Sequence, residues 1–301
     1  MTIVTVRTPA KINLGLSVGR PRPDGYHPLA TVYQAIALYD ELKARPAEAG
    51  EFTVSVTGEG QDDVPLDDTN LAVRAAQLLA KRAQVDEGVA LSIHKLIAVA
   101  GGLAGGSSNA AAALLACDAL WGLHSSREEL VELAAELGSD VPFCLVGGNA
   151  IGTGRGEAVS SVLARGSYEW VLAYAATGLS TPQVYAEFDR LDAAGADDEP
   201  EVPEALISAL RTGDPYAVGM ALRNDLQPAT IRLRPVIRRT LEFGDEFGAL
   251  GAIVSGSGPT CLFLAADSEH AIDLAVALSS SGVCRSVQRA NGPVPGARIV
   301  T

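Results

Sequence analysis

No stretch of the 301-residue chain approaches the roughly 18 consecutive apolar residues of a membrane-spanning helix, so no helical membrane protein is expected. The opening MTIVTVRTPAKINL lacks the basic-then-apolar order of a secretory signal. Cysteine is sparse: Cys117, Cys144, Cys261 and Cys284 lie far apart, with no CxxC or CxH spacing. That supports neither a zinc site nor a disulfide frame and suits buried free thiols in a reducing cytoplasm. Positive charge is scarce too, with 23 Lys and Arg against 36 Asp and Glu and a net charge of −13. A general nucleic-acid binder is therefore not expected. An anionic small molecule is still permitted, because a helix N-terminus, one lysine and a cation make a locally positive site. Lysine is scarcest of all, at Lys11, Lys43, Lys81 and Lys95 only.

What is present is a mixture of strand and helix patterns without an internal repeat. Residues 3–19 and 27–40 are apolar and β-branched, joined by the turn PRPDGY, and EFTVSVTG (51–58) alternates as a half-buried strand. Residues 67–83 have Leu71, Ala75, Leu78 and Leu79 on one helical face. Residues 89–99 predict a strand, 109–123 a helix, and 126–137 a helix opened by a Ser126/Glu129 capping box. Strand, turn and strand follow over 149–162. A second unit then begins with the strand 168–176 and a short helix over 181–191, with Thr181 as cap and Pro182 at its first position. Two or three helices lead to about 248, then strand, turn and strand over 251–266 and a helix over 269–282. Recurrent hairpins favour an α+β fold over a doubly wound sheet, with domains at 1–163 and 164–301. The acidic run DAAGADDEPEVPE (192–204) reads as a solvated loop.

The most informative stretch is AVAGGLAGGSSNAAAALLA (98–116). A strand, four glycines in six positions and a helix opening with Ser107, Ser108 and Asn109 make an anion site. Glycines let backbone approach an oxyanion, and the free N–H groups of the first helical turn, with the helix dipole, favour negative charge. A Walker loop fails, since Ser107 stands where its lysine belongs. A dinucleotide fingerprint fails for want of the first GxG. The alternative is a tight, capped turn.

Three further features are out of place in an ordinary fold. Lys11 lies in the apolar strand PAKINL, where an unpartnered ammonium is costly. Asp140, in LGSDVPFCL, is its best carboxylate partner, and such a pair suits proton removal from a hydroxyl. The alternatives are a snorkelling edge lysine and a helix N-cap. SGSGPT (255–260) is either a plain hairpin turn or a second glycine surface near the ligand. In GYH, Tyr26 and His27 are either an exposed aromatic–imidazole pair suited to a planar base or a turn packed on the core.

PAKINL, the glycine–serine loop and the late SGSGP follow, in order and spacing, three signature segments of the GHMP small-molecule kinases. The chain resembles that family over essentially its whole length. Residues 9–40, LGSDVPF and STPQVY resemble the branch acting on a cytidyl substrate of the non-mevalonate isoprenoid route. The resemblance implies ATP-dependent phosphorylation of a 2-hydroxyl. It also implies an N-terminal α+β catalytic domain, a smaller ferredoxin-like C-terminal domain and a site in the cleft between them. By position, Asp140 is then the general base and Lys11 its partner. Asn13, Tyr26, His27 and Thr181 contact the cytidyl substrate, and Tyr185 supplies a second aromatic face where relatives often have Phe. Ala98, Val99, Ala100, Gly101, Gly102, Leu103, Ala104, Gly105, Gly106, Ser107 and Ser108 wrap the ATP phosphates, with Asn70 and Lys95 near the adenine. Mg²⁺ arrives with ATP, Ser108 being one candidate ligand. No obligate protein partner is implied. Departures are AVAGG for the family's PxGGG and Ala104 for a frequent glycine. A homoserine or mevalonate-type kinase, or an inactive nucleotide-binding regulator, are the competing readings.

Overall fold

The computed structural model describes residues 2–191 and 199–300, so most of the acidic run expected to be a solvated loop lies outside the described residues. The first half runs β1 (Val4–Val18), β2 (Leu29–Ala47), β3 (Phe52–Gly58), α1 (Leu71–Ala83), β4 (Gly88–Lys95) and α2 (Gly105–Trp121). It continues with α3 (Arg127–Leu137), α4 (Val141–Val146), β5 (Asn149–Thr153) and β6 (Ala158–Ser161). The second half runs β7 (Tyr168–Tyr174), α5 (Thr181–Leu191), α6 (Glu204–Thr212), α7 (Pro215–Ala221), β8 (Arg223–Asn224), α8 (Gln227–Leu233) and α9 (Val236–Glu246). It closes with β9 (Gly251–Val254), β10 (Cys261–Ala265), α10 (Ser268–Ser281), β11 (Ser286–Gly292) and β12 (Arg298–Val300).

Two sheets organise these elements as an α+β fold. The first has the order β12-β1-β2-β4-β3, with β5 also on β2, β6 on β5 and β8 on β1. The long β2 serves two neighbours because its Thr31–Gln34 stretch pairs with β5 and its Glu41–Ala47 stretch with β4. β8 and β12 come from the second half of the chain and pair with β1. The second sheet has the antiparallel order β11-β7-β10-β9. Numbered along the chain that is 4-1-3-2, the ferredoxin-like arrangement.

Helices α1 and α2 cover one face of the first sheet, and α3 packs against them. Ala110, Ala111, Ala112 and Ala113 of α2 are fully buried there, and their small side chains let the helix lie close to the sheet and to α1. The two sheets share a second core, in which Ile12, Leu14 and Ile36 meet Trp170, Leu172 and Leu262. The Trp170 indole N–H donates to Gln34 Oε1 at 2.7 Å, which satisfies both buried polar groups. β1 and β2 slip register between Pro9 and Ala10. Across that irregularity the even residues of β1 change cores: Val6 belongs to the first, Ala10, Ile12 and Leu14 to the second. Strand side chains alternate, so Lys11 and Asn13 face away from the sheet–sheet core. This is how a lysine resides in an apolar strand.

Several element boundaries differ from the sequence expectation. The helix expected over 67–83 starts at Leu71, because Asn70 caps it by accepting from the Ala72 N–H at 2.9 Å. The helix expected from 109 starts at Gly105, one turn earlier, so half of the presumed loop is helix. Four helices, α6 to α9, rather than two or three, fill 204–246. Helix α5 begins at Thr181 itself, and the Thr181 hydroxyl bonds Ser257 at 2.9 Å. The capping box at Ser126 and Glu129 forms as expected.

Candidate active site

A cleft of about 870 Å³ lies along the glycine loop and the ends of β1, α4 and α5. Its size suits a nucleotide with a second small molecule, near the upper end of ordinary ligand pockets. The lining includes Lys11, Asn13, Tyr26, His27, Asn70, Asp140, Thr181 and Tyr185, so the separate motifs of the sequence do converge.

β4 ends at Lys95, and the loop runs from there to the start of α2 at Gly105. Ala98, Val99, Ala100, Gly101, Gly102, Ala104, Gly105, Gly106 and Ser107 line the cleft. The first-turn N–H groups of α2 have no intrahelical partners, which is the condition for binding phosphate oxygens. Gly102 has φ +77°, and a β-carbon there would overlap the Ser255 carbonyl; the Ser255 hydroxyl in turn donates to the Gly102 carbonyl at 3.0 Å. The SGSGPT turn is therefore a second glycine surface, with Gly256 and Ser257 in the cleft wall. Ala100 and Ala104 sit at φ +52° and +57°, a conformation that costs a non-glycine residue about 1–2 kcal/mol. The alanine at 104 thus stands where backbone geometry favours glycine.

Of the residues 98–108 expected to wrap the phosphates, Leu103 and Ser108 are buried and do not line the cleft. Leu103 is fully buried, and its carbonyl accepts the Lys11 backbone N–H at 3.2 Å. Ser108 is also fully buried; its hydroxyl donates to the Pro9 carbonyl at 2.8 Å and lies 3.3 Å from the Cys144 sulfur. It is not placed to ligate a metal. Asn109 lines the cleft, and its amide donates to Asp40 at 2.8 Å. Of the two adjacent serines, Ser107 and Ser108, Ser107 is the one that lines the cleft.

At the floor of the cleft, Lys11 Nζ lies 3.5 Å from Asp140 Oδ2 and donates to Asn13 Oδ1 at 2.6 Å. Asn13 is held in turn by Thr31, to whose hydroxyl it donates at 2.8 Å. Asp140 precedes α4 without capping it through its side chain, so the N-cap alternative fails. Its other oxygen accepts from the Tyr33 hydroxyl at 3.1 Å. Tyr33 stacks on Phe143 and lies against the Lys11 ammonium. Burial, and then the Asp140 charge, push its phenol well above the ordinary tyrosine value, so it remains a donor. Burial likewise pushes the Cys144 thiol up to about 12.

The far end of the cleft is aromatic. Tyr26 is exposed, with the Arg155 guanidinium 4.8 Å above its ring. His27, in contrast, is buried. Its Nε2 bonds Asp189 at 2.8 Å and its ring lies 4.9 Å from that of Tyr185. The expected exposed Tyr26–His27 pair is therefore split: Tyr26 faces solvent and His27 joins Tyr185. Burial, then Asp140, raises the Tyr185 phenol.

Lys95 and Asn70 both line the cleft and are also bonded to the surrounding structure. The Lys95 ammonium, 2% exposed, donates to Asp40 Oδ2 at 2.5 Å and to Asn109 Oδ1 at 3.1 Å. Asn70 caps α1 and donates to the Pro65 carbonyl at 2.7 Å. Sequence reasoning missed Tyr33, Asp40, Arg155 and Asp189. Only Asp40, a carboxylate ending the apolar run AIALYD, left a trace in the pattern.

The model of the GHMP kinases N terminal domain matches residues 70–148, and that of the GHMP kinases C terminal region matches 206–284. A relative from Thermobifida fusca is 54% identical over 99% of both chains and is named 4-diphosphocytidyl-2-C-methyl-D-erythritol kinase. The chain belongs to the GHMP kinase family. This is a family of ATP-dependent small-molecule kinases, and the chain is one. A Streptomyces coelicolor relative of the same name is 54% identical over 99% of each chain. The crystal structure of a 4-(cytidine 5'-diphospho)-2C-methyl-D-erythritol kinase shares 34% identity, covers 95% of this GHMP kinase and 98% of that chain, and superposes with a TM-score of 0.76. A homoserine kinase from Cytophaga hutchinsonii superposes with a TM-score of 0.77 at 17% identity, covering 100% and 98% of the two chains. The fold is thus common to kinases of different acceptors, and substrate choice must come from side chains in the cleft.

Proposed function

We propose that this kinase transfers the γ-phosphoryl group of ATP to the 2-hydroxyl of 4-diphosphocytidyl-2-C-methyl-D-erythritol, in the non-mevalonate route to isoprenoid precursors. The observation that carries the reading is the position of the Lys11–Asp140 pair, in a cleft whose lining also includes the glycine cradle and Tyr26, His27 and Tyr185. Asp140 accepts the hydroxyl proton. The resulting oxygen nucleophile attacks the γ-phosphorus, a new P–O bond forms, and the bond to the β-phosphate bridging oxygen breaks to release ADP. The Lys11 ammonium stabilises the carboxylate and the developing alkoxide. The N–H groups at the start of α2 and the Ser107 side chain hold the phosphates. Tyr26 and Tyr185 flank the cytosine, and Asn13, His27 and Thr181 fix the rest of the acceptor. Little beyond positioning and charge neutralisation is required, so the absence of a Walker lysine is no obstacle.

Among the described residues there is no cluster of three or more His, Cys, Asp or Glu side chains able to cage a metal. The donors facing the cleft, the Asp140 carboxylate and the Ser107 and Ser139 hydroxyls, suit Mg²⁺ carried in by ATP with much of its water retained. Bound there, the ion would neutralise charge on the transferring phosphate. The reading includes a cytoplasmic enzyme, in keeping with its free thiols.

An acceptor panel tests the assignment. ADP release should be seen with the cytidyl substrate and fall at least a hundredfold with homoserine or mevalonate. Turnover of either of those and none of the cytidyl compound refutes the proposal.

A further inference from the structure

Behind the phosphate loop lies a carboxylate that no step of the chemistry uses. Asp40 is fully buried on β2, and each of its oxygens has two hydrogen-bond donors. Oδ1 accepts from the backbone N–H groups of Leu96 at 2.7 Å and Ile97 at 2.9 Å. Oδ2 accepts from Lys95 Nζ at 2.5 Å and Asn109 Nδ2 at 2.8 Å. A carboxylate has about four acceptor sites, so this one is saturated.

The sources of those donors matter. Lys95, Leu96 and Ile97 are the last residues before the glycine loop, and Asn109 is one turn into the helix that follows it. Both ends of the loop are thereby tied to one side chain. The Lys95 ammonium also lies 3.2 Å from where a β-carbon of Gly105 would be, so it sits directly beneath the first residue of α2. Between the ties, the loop carries three residues at positive φ, Ala100, Gly102 and Ala104. Two of these are alanines in an unfavourable conformation, which persists only where the surroundings enforce it. A buried ion pair gives little stability over an apolar pair of the same volume, so stability alone is a poor account of it. Fixing the register of a structure is the better attested use.

We propose that Asp40 is a positioning residue for ATP: by fastening both ends of the 98–104 loop it sets the spacing of the N–H groups that receive the phosphates. Asp40 itself touches no substrate. The inference rests on the kinase reading above, and the wild-type enzyme assayed with the cytidyl substrate separates the two. If wild type fails to turn over that substrate, the acceptor assignment falls; the hydrogen exchange of the ATP-free enzyme below needs no acceptor and still decides whether Asp40 holds the loop.

The test compares wild type with Asp40→Asn, the double variant Asp40→Asn/Lys95→Met, and Asn109→Ala. Asp40→Asn leaves a buried ammonium without its counter-charge, and its Tm should drop by about 10 °C. The double variant removes that charge and should recover most of the loss. If the pair positions the loop, KM for ATP should remain raised about tenfold in the double variant despite its restored Tm, with acceptor KM within twofold of wild type. In the ATP-free enzyme, hydrogen exchange at Leu96, Ile97 and the loop amides should quicken at least tenfold. That readout excludes a mere loss of contact between Lys95 and nucleotide. Should Asp40→Asn not fold, Asn109→Ala, which frees only the helical end, should still raise KM for ATP about threefold. Recovery of KM together with Tm, unchanged loop exchange, or a parallel rise in acceptor KM overturns the proposal.

Discussion

Replacing Tyr33 with phenylalanine removes a single oxygen from the floor of the cleft. The ring is buried, stacked at 4.8 Å on Phe143 and 5.3 Å from the Lys11 ammonium, and phenylalanine keeps all of that. What is lost is the hydrogen bond to Asp140 Oδ1 at 3.1 Å; the next acceptor, the Gly156 carbonyl, is 3.5 Å away. A hydrogen bond to a charged group contributes about 1.5–3 kcal/mol. The Asp140 side chain is 30% exposed, so water can replace part of it, and the lower end of that range applies. About 1.4 kcal/mol is a tenfold effect, and kcat/KM for the acceptor should fall by about that factor. KM for ATP should be unchanged and Tm lower by no more than about 2 °C. Steady-state ADP release with each substrate varied measures this. Burial and the neighbouring carboxylate both disfavour the phenolate, so Tyr33 remains a donor throughout the neutral and mildly alkaline range. The ratio of wild-type to variant rates should therefore be flat from about pH 7 to pH 10. A ratio below twofold, an equal rise in KM for ATP, or a ratio that collapses as pH rises through 8 to 9 would refute the reasoning.

Asp140→Asn should reduce turnover by a factor of about 10² or more while ATP still binds, as equilibrium titration would show; turnover above a tenth of wild type contradicts its role as base. Ser108→Ala leaves the buried Pro9 carbonyl without its donor and should cost about 1 kcal/mol of stability, with kcat and magnesium dependence within twofold. A fivefold change in the magnesium required for half-maximal rate would restore Ser108 as a ligand. Tyr26→Ala removes an exposed stacking face and should raise acceptor KM about tenfold without affecting KM for ATP. Equal effects on both would make Tyr26 structural. Cys117, Cys144 and Cys261 are buried and their thiols are raised by burial, so at pH 8 they hold little thiolate. Ellman's reagent should react promptly with no more than one thiol, Cys284, in the native enzyme and with four after denaturation; two or more prompt native thiols contradict the packing.

The sequence alone determined the class of fold and the class of chemistry. Alternating and 3.6-residue patterns are local consequences of one-sided burial, so most strands and helices were legible, with boundaries shifted where a cap or a strained residue decided the start. Glycines running into a small-residue helix announce an anion site because backbone freedom and free N–H groups are properties of the chain itself. A lysine in an apolar strand likewise announces a partner, and Asp140 is there at 3.5 Å. Tertiary structure alone decided which polar atoms remain available to a ligand. Ser107 and Ser108 are adjacent serines in one motif, yet one faces the cleft and the other is spent on Pro9, because helical geometry turns successive side chains by about 100°. Lys95 lines the cleft, yet its ammonium is bonded to Asp40, 55 positions earlier, a pairing no local pattern announces. Tyr33, Asp189 and Arg155 gain their places through pairings between distant segments, which periodicity does not encode. A side chain's chemistry is written in the sequence; its vacancy for a ligand depends on every neighbour that folding brings within 3 Å.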